Sequence, residues 1–157
     1  MRREARQRGQ NLVELALVAP LLIALFIGVA DLGRAFHAFI VMENAAREAA
    51  RYGASFPDRL TQNTAPSAKL RAADEVLNSG LAVAEGSVVY GTPAGPLDAG
   101  QVYIQVSKEL AGDGFQPHEQ VVQARVYYGF GFISGFLGIA PITLQGSADM
   151  LVLYDPV

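Results

Sequence analysis

An uncharged apolar run, Leu15 to Ala30, with one carboxylate at its head, Glu14, is the feature that most constrains this chain. At about 1.5 Å per helical residue the run covers roughly 24 Å, somewhat short of a hydrocarbon core of roughly 30 Å. Asn11 to Val13 before it, and Asp31 to Ala35 at the interface after it, bring it to spanning length. Glu14 then lies inside the apolar segment near one membrane face. A carboxylate there is costly without a partner, which makes it a functional candidate, the alternative being that it simply marks the start of a signal-anchor helix.

The residues before the run are basic. Met1 to Gly9 carries four arginines against Glu4, a charge of +3, which leaves −6 on the remainder of a chain whose net charge is −3. Basic residues ahead of a membrane helix favour a cytoplasmic N-terminus, with the acidic remainder outside. A secretory signal would be cut behind small residues after its apolar run. Here the run ends in Gly28-Val-Ala-Asp-Leu-Gly33 and helical periodicity continues. A cut at Gly9, before the run, would retain the helix.

Gly9, Gln10 and Glu14 have the spacing of a type IV prepilin leader, in which a peptidase cuts after Gly and Glu is the fifth mature residue. The longer stretch from Gly9 through Pro20 to Leu22, with Glu43-Asn-Ala-Ala-Arg-Glu-Ala-Ala-Arg-Tyr52 downstream, resembles the TadE-like proteins of Tad/Flp pilus systems. The resemblance covers roughly the first third of the chain. It implies a pseudopilin, a minor or main structural subunit of a Tad or type IV-like filament. Its implied partners are a prepilin peptidase, other pilin-like subunits or copies of itself, an inner-membrane assembly platform and the lipid bilayer. It also implies pairing of the mature N-terminal amine with Glu14, usually between neighbouring subunits, which would set axial register. Gln10 stands where many type IV pilins have Phe, and an N-terminal Gln can cyclise and lose that amine. The alternative is a monomeric signal-anchored extracytoplasmic binding or scaffold protein.

Four segments follow: a basic leader over 1–9, a transmembrane or assembly helix over 10–30, its extracytoplasmic half over 31–53, and an α+β extracytoplasmic domain over 54–157. Pro20 removes one helical hydrogen bond, a loss that membrane helices tolerate. Ala24 and Gly28 form a small-xxx-small pair suited to close helix approach. Leu32, Ala35, Phe39, Met42, Ala46, Ala49 and Gly53 follow alternating three and four spacing, and Phe36 and Ile40 widen that stripe. It is wide enough for the chain's own sheet and a neighbouring helix. Pro20, Ala24, Gly28, Phe39 and Met42 are therefore the candidate helix-packing residues. Glu43 with Arg47, and Glu48 with Arg51, are spaced for helix-surface ion pairs. His37, at the outer membrane edge, reads as a bystander.

Pro66 to Ser79 predicts a shorter second helix with Leu70, Ala73, Val76 and Leu77 on one side, stopped at Gly80. Residues 85–100 read as turns around Val88-Val-Tyr90. From Gln101 the period becomes two: Val102, Ile104 and Val106, then Val122, Ala124 and Val126, then Leu144, Ala148, Met150 and Val152. Helix first and strands afterwards is an α+β layout. The expected fold is pilin-like: a long N-terminal membrane-spanning helix continuing outside the membrane and packing on an antiparallel sheet, with a second short helix.

Val126 to Ile142 is uncharged, but Gly129, Gly131, Gly135, Gly138 and Pro141 disfavour a second membrane helix, so a strand and an apolar loop are expected. Phe132, Ile133, Phe136 and Leu137 in that loop form a candidate interaction patch, resting on the membrane surface or inserting into a neighbouring subunit. Chemistry finds little footing. The chain has no Cys, and His118 stands beside Pro117 and Glu119 in a loop. Residues 91–100 lack a phosphate-loop lysine. Asp98-Ala-Gly and Asp113-Gly suit turns better than calcium. No enzyme, cofactor, metal or nucleic-acid partner is expected.

Overall fold

The computed structural model describes residues 2–57, 67–84, 86–110 and 120–152; the side chains of 2–11, 110, 136 and 137 lie outside that description. The first element, α1, runs unbroken from Arg2 to Ser55 with Pro20 inside it. One 18-residue stretch of it reaches a mean hydropathy of 2.6 with none of that stretch buried. Beyond residue 30 the same helix becomes the spine of the folded part.

The second helix, α2 (Ala68–Asn78), starts at Ser67, whose Oγ accepts from Leu70 N–H at 3.4 Å. Four strands follow: β1 (Val88–Tyr90), β2 (Val102–Leu110), β3 (Gln120–Phe130) and β4 (Ile142–Leu151). They lie side by side in sequence order. The pairs β2–β3 and β3–β4 are antiparallel, with Ile104 opposite Val126 and Val126 opposite Gly146. The α+β class is as the sequence predicts, and the sheet is mixed rather than wholly antiparallel. The stretch Val88–Tyr90, read as turns, is a short edge strand parallel to β2, with Val88 opposite Val102. Three residues are too few for a periodic signal. Their pairing is anchored instead by bonds outside the strand, Val102 N–H to Ser87 C=O at 3.1 Å and Gly91 N–H to Ile104 C=O at 2.9 Å.

The period of two decides which face of the sheet is inside. Val102, Ile104, Val122, Ala124 and Val126 are fully buried under the helices. The opposite face carries Tyr103, Gln105, Gln123, Arg125 and Tyr127, half-buried or exposed. Helix α1 lies across β3 and β4, and α2 packs beside it over β2.

On α1 the buried positions, besides Asp31, are Ala38, Val41, Met42, Ala45, Ala46, Ala49, Ala50, Gly53 and Ala54. Mostly small side chains let helix and sheet come close. At Gly146 the approach is backbone to backbone: an added Cβ would lie 2.5 Å from Glu43 N and closer still to the Met42 carbonyl. The α2 interior likewise uses Ala68, Ala72, Ala73 and Val76. Leu77, expected inside, is 55% exposed, so the buried face of α2 is the one that carries Ala68, Ala72, Ala73 and Val76.

The connection from β1 to β2 crosses the far end of the sheet. Leu97 is buried there, its N–H donating to Thr143 Oγ1 at 3.2 Å, and Gly100 N–H donates to Gly129 C=O at 2.8 Å. The connection passes so close that a Cβ on Gly129 would collide with the Asp98 carbonyl. Between β3 and β4 the uncharged stretch forms a strand end, as the sequence predicts, and then a short 3-10 helix, Ile133–Leu137, within the expected loop.

Candidate membrane-facing and assembly surface

The apolar stripe on α1 divides in two. Ala35, Met42, Ala46, Ala49 and Gly53 turn toward the chain's own sheet. Leu32, Phe36, Phe39 and Ile40 turn away, with exposures of 72%, 65%, 44% and 42%. The periodicity places all of these on one broad stripe; the structure assigns its small members and Met42 inward and its other large members outward. The outward set continues Leu21, Leu25 and Val29 of the uncharged run, which are also exposed. One apolar surface therefore runs from the uncharged run along the helix to Ile40.

The candidate helix-packing residues fall on both sides of this division. Pro20, Ala24, Gly28 and Phe39 are exposed, whereas Met42 is wholly buried in the chain's own core. Glu14 is exposed on α1, and among the described residues no side chain pairs with it. Gly9 and Gln10 belong to α1 by backbone, and nothing of their side chains falls within the description. The predicted helix-surface ion pairs both form, Arg47–Glu43 at 3.2 Å and Arg51–Glu48 at 2.8 Å. Arg47, Glu48 and Arg51 line a polar groove of about 510 Å³ between α1 and α2, with Arg71, Asp74 and Glu75 on its other wall. Charges of both signs alternate there, so the groove selects for neither anions nor cations.

Asp31 is the functional-looking residue that sequence periodicity passes over. It is the first charged residue after the run and is only 4% exposed. Its Oδ1 accepts from Ile133 N–H at 2.7 Å, and its Oδ2 accepts from Ser134 N–H at 3.0 Å and Ser134 Oγ–H at 2.8 Å. Arg34 Nη1 donates to Oδ1 at 3.0 Å and to the Gly131 carbonyl at 3.3 Å. The opening N–H groups of a short helix lack partners within it. Phe132, at the cap position of the 3-10 helix, supplies no side-chain bond, so Asp31 does so from α1. Burial pushes the Asp31 carboxyl up, but the bonds from Ile133, Ser134 and Arg34 together outweigh it and hold the group below its ordinary value of 3.8.

The clamp holds the backbone of Ile133 and Ser134, at the start of the candidate patch, against α1. Phe132 turns toward the core, edge-on to Phe130 at 5.2 Å, while Ile133 is 49% exposed. The side chains of Phe136 and Leu137 lie outside the described residues. Arg34 lies over the Phe130 ring at 5.2 Å, closing the polar knot from above. The sequence did hold a signal for this site: a lone acid bordering an apolar run, and a serine in an otherwise apolar loop. Nothing local connects the two, which stand 103 residues apart.

Chemistry needing clustered ligands has no foundation among the described residues, where no group of three or more His, Asp or Glu side chains could hold a metal ion. Asp98 serves its turn: its N–H donates to Gln101 Oε1 at 3.1 Å and its Oδ2 accepts from Gln101 Nε2 at 3.3 Å. Asp113 and His118 fall outside the described residues.

Residues 9–51 match the family model of TadE-like proteins. The matched segment begins at Gly9 and ends at Arg51 within α1, covering both the uncharged run and the Asn-Ala-Ala-Arg-Glu stretch. That family is structural and pilus-associated rather than enzymatic. No curated protein and no solved structure gave a match to the chain. The TadE-like match and one long exposed apolar helix fit a pilus-related, membrane-anchored protein.

Proposed function

We propose that this protein is a TadE-like pseudopilin, a structural subunit of a Tad or type IV-like filament, held in the cytoplasmic membrane by α1 before assembly. The observation that carries this is the outward stripe of Leu32, Phe36, Phe39 and Ile40, continuous with the span and contained in the TadE-like segment. A solitary domain gains nothing from keeping its largest helix side chains off its own core. A subunit that packs helix against helix does.

In this proposal a prepilin peptidase removes 1–9, Gln10 becomes the first residue, and Glu14 becomes the fifth. Glu14 then pairs with an amine on a neighbouring subunit, which offsets the cost of holding either charge in lipid or a packed helical core. Pro20, Ala24, Gly28 and Phe39 face the neighbouring helix, and an inner-membrane platform drives assembly with the folded part outside.

Intact-mass and N-terminal analysis of the membrane-borne protein tests the processing. The expected chain begins at Gln10, and its mass also reports whether Gln10 has cyclised. A chain that keeps 1–9 in cells with an active prepilin peptidase refutes it. Glu14→Ala tests the assembly role: filament incorporation should be lost while membrane insertion is retained. Unchanged incorporation would leave a signal-anchored binding or scaffold protein.

A further inference from the structure

The Asp31 clamp has a geometric consequence. From Leu12 to Asp31 the helix rises about 28 Å at about 1.5 Å per residue, against a hydrocarbon core of roughly 30 Å. With Leu12 at one boundary, Asp31 stands at the other. The β3–β4 loop is bonded to Asp31 at 2.7–3.0 Å, so it lies at the same depth as the end of the span.

What the loop presents at that depth is apolar. In the loop Ile133 and Ile139 are 49% and 47% exposed, Ile142 at the start of β4 is 42% exposed, and no charged residue occurs between Arg125 and Asp149. Its polar backbone is already answered where it meets the helix, because Asp31 takes the N–H groups of 133 and 134 and Arg34 takes the Gly131 carbonyl. Backbone that enters an apolar phase needs such partners. The Arg34 side chain is 44% exposed beside the same loop, at the level where lipid phosphates lie.

We propose that the β3–β4 loop is a membrane foot. Its isoleucines enter the boundary between headgroups and acyl chains of the outer leaflet, beside the helix, and Asp31 sets their depth. Two attachments, helix and foot, then fix the orientation of the sheet relative to the bilayer. The foot leaves lipid only when the subunit is drawn into a filament. This rests on the reading of α1 as a membrane span, and the test separates the two.

The chain has no cysteine, so single probes can be placed cleanly. Ile133→Cys and Ile139→Cys carry an environment-sensitive fluorophore in the full chain, reconstituted into phosphatidylcholine–phosphatidylglycerol vesicles. Leu22→Cys within the span and Leu77→Cys on α2 are references, being 45% and 55% exposed. Quenching is compared for aqueous iodide, a nitroxide near the lipid headgroup and a nitroxide deep in the acyl chain.

The foot sites should be quenched several-fold more by the shallow nitroxide than by iodide, Leu22 by the deep nitroxide, and Leu77 by iodide. Iodide quenching at 133 and 139 with Leu22 still deep overturns the foot and leaves the span intact. Iodide quenching at Leu22 overturns the span itself. Protection of 133 and 139 from iodide without nitroxide quenching means that protein covers the loop, and the foot is again refuted. Asp31→Ala should raise iodide quenching at 133 several-fold without moving Leu22; no change refutes the role of Asp31 in setting depth. The probes at 133 and 139 with Asp31 intact remain decisive if that variant loosens the fold.

Discussion

Gly146→Ala probes the contact on which the α1–sheet packing depends. Ordinary contact for a Cβ begins near 3.4 Å, whereas one at 146 would lie 2.5 Å from Glu43 N and nearer still to the Met42 carbonyl. These are backbone atoms of a helix and cannot rotate aside. Helix and strand must separate by about 1 Å, a gap that already forfeits roughly a quarter to a half of each dispersion contact it opens. Met42, Ala45, Ala46, Ala49 and Ala50 are fully buried on that side of the helix, so the loss is shared along the seam. The 3.3 Å bond from Ser147 N–H to Glu43 Oε1 lengthens as well. Overpacking of this kind costs about 1–3 kcal/mol, and rigid backbone places this case near about 3 kcal/mol. For a folded part of this size that lowers Tm by roughly 10 °C.

The assay must see the sheet rather than the span. Far-UV dichroism is dominated by a helix of 54 residues that detergent preserves. Near-UV tyrosine dichroism or calorimetry of the full chain in detergent reports the packed part. Gly95→Ala is the matched control, since nothing lies within 4 Å of a Cβ there. If Gly146→Ala melts within about 2 °C of the parent, the range expected of an ordinary surface change, β4 does not lie against α1 as described.

Two further substitutions test the other joints. The Asp31 carboxyl is held below its unfolded value, so its contribution is present above pH 3.8 and is lost as pH falls through the lower folded value. Asp31→Asn should flatten the fall in Tm below pH 4 in an acid titration of the melt; an unchanged acid limb would refute the clamp. Ser67→Ala removes the α2 cap and should cost about 1 kcal/mol in thermal or denaturant unfolding. A loss below measurement would mean that the 3.4 Å bond to Leu70 N–H contributes nothing.

What could be read from the sequence was whatever is written locally. The uncharged run, its helical continuation and the alternation of Val102, Ile104 and Val106 each depend on neighbours a few residues apart, and each lies in the kind of element the pattern gives, although α1 extends from Arg2 to Ser55 rather than over 10–53. The unread features are decided over long distances. Three-residue β1 takes its identity from Ser87 and Val102, and the buried role of Asp31 from Ile133 and Ser134. The inward turn of the small half of the α1 stripe depends on Gly146, more than 100 residues downstream of Met42. Periodicity reports that a helix has an apolar side; it does not report how close the opposing surface comes. Gly146 in β4 was visible as a residue without a side chain, but its partner was not.

The division of α1 also weighs between the two functional classes. Burying an exposed Leu, Ile or Phe side chain gains roughly 1.5–3 kcal/mol each. Leu32, Phe36, Phe39 and Ile40 leave that gain unclaimed within the chain, while alanines occupy much of the buried face. For a signal-anchored monomer, stability alone would favour the reverse assignment. A subunit that must fold alone, wait in a membrane and then pack against neighbours needs two different faces on one helix. The small face binds its own sheet closely enough to stand without partners. The large face, continuous with the span, holds back apolar area until another helix or lipid covers it. Replacing Phe36 and Ile40 together with Ser separates these roles: thermal stability of the full chain should hardly change, and incorporation into a filament should fall. A Tm loss comparable to that of Gly146→Ala would mean that the outward face serves the chain's own fold.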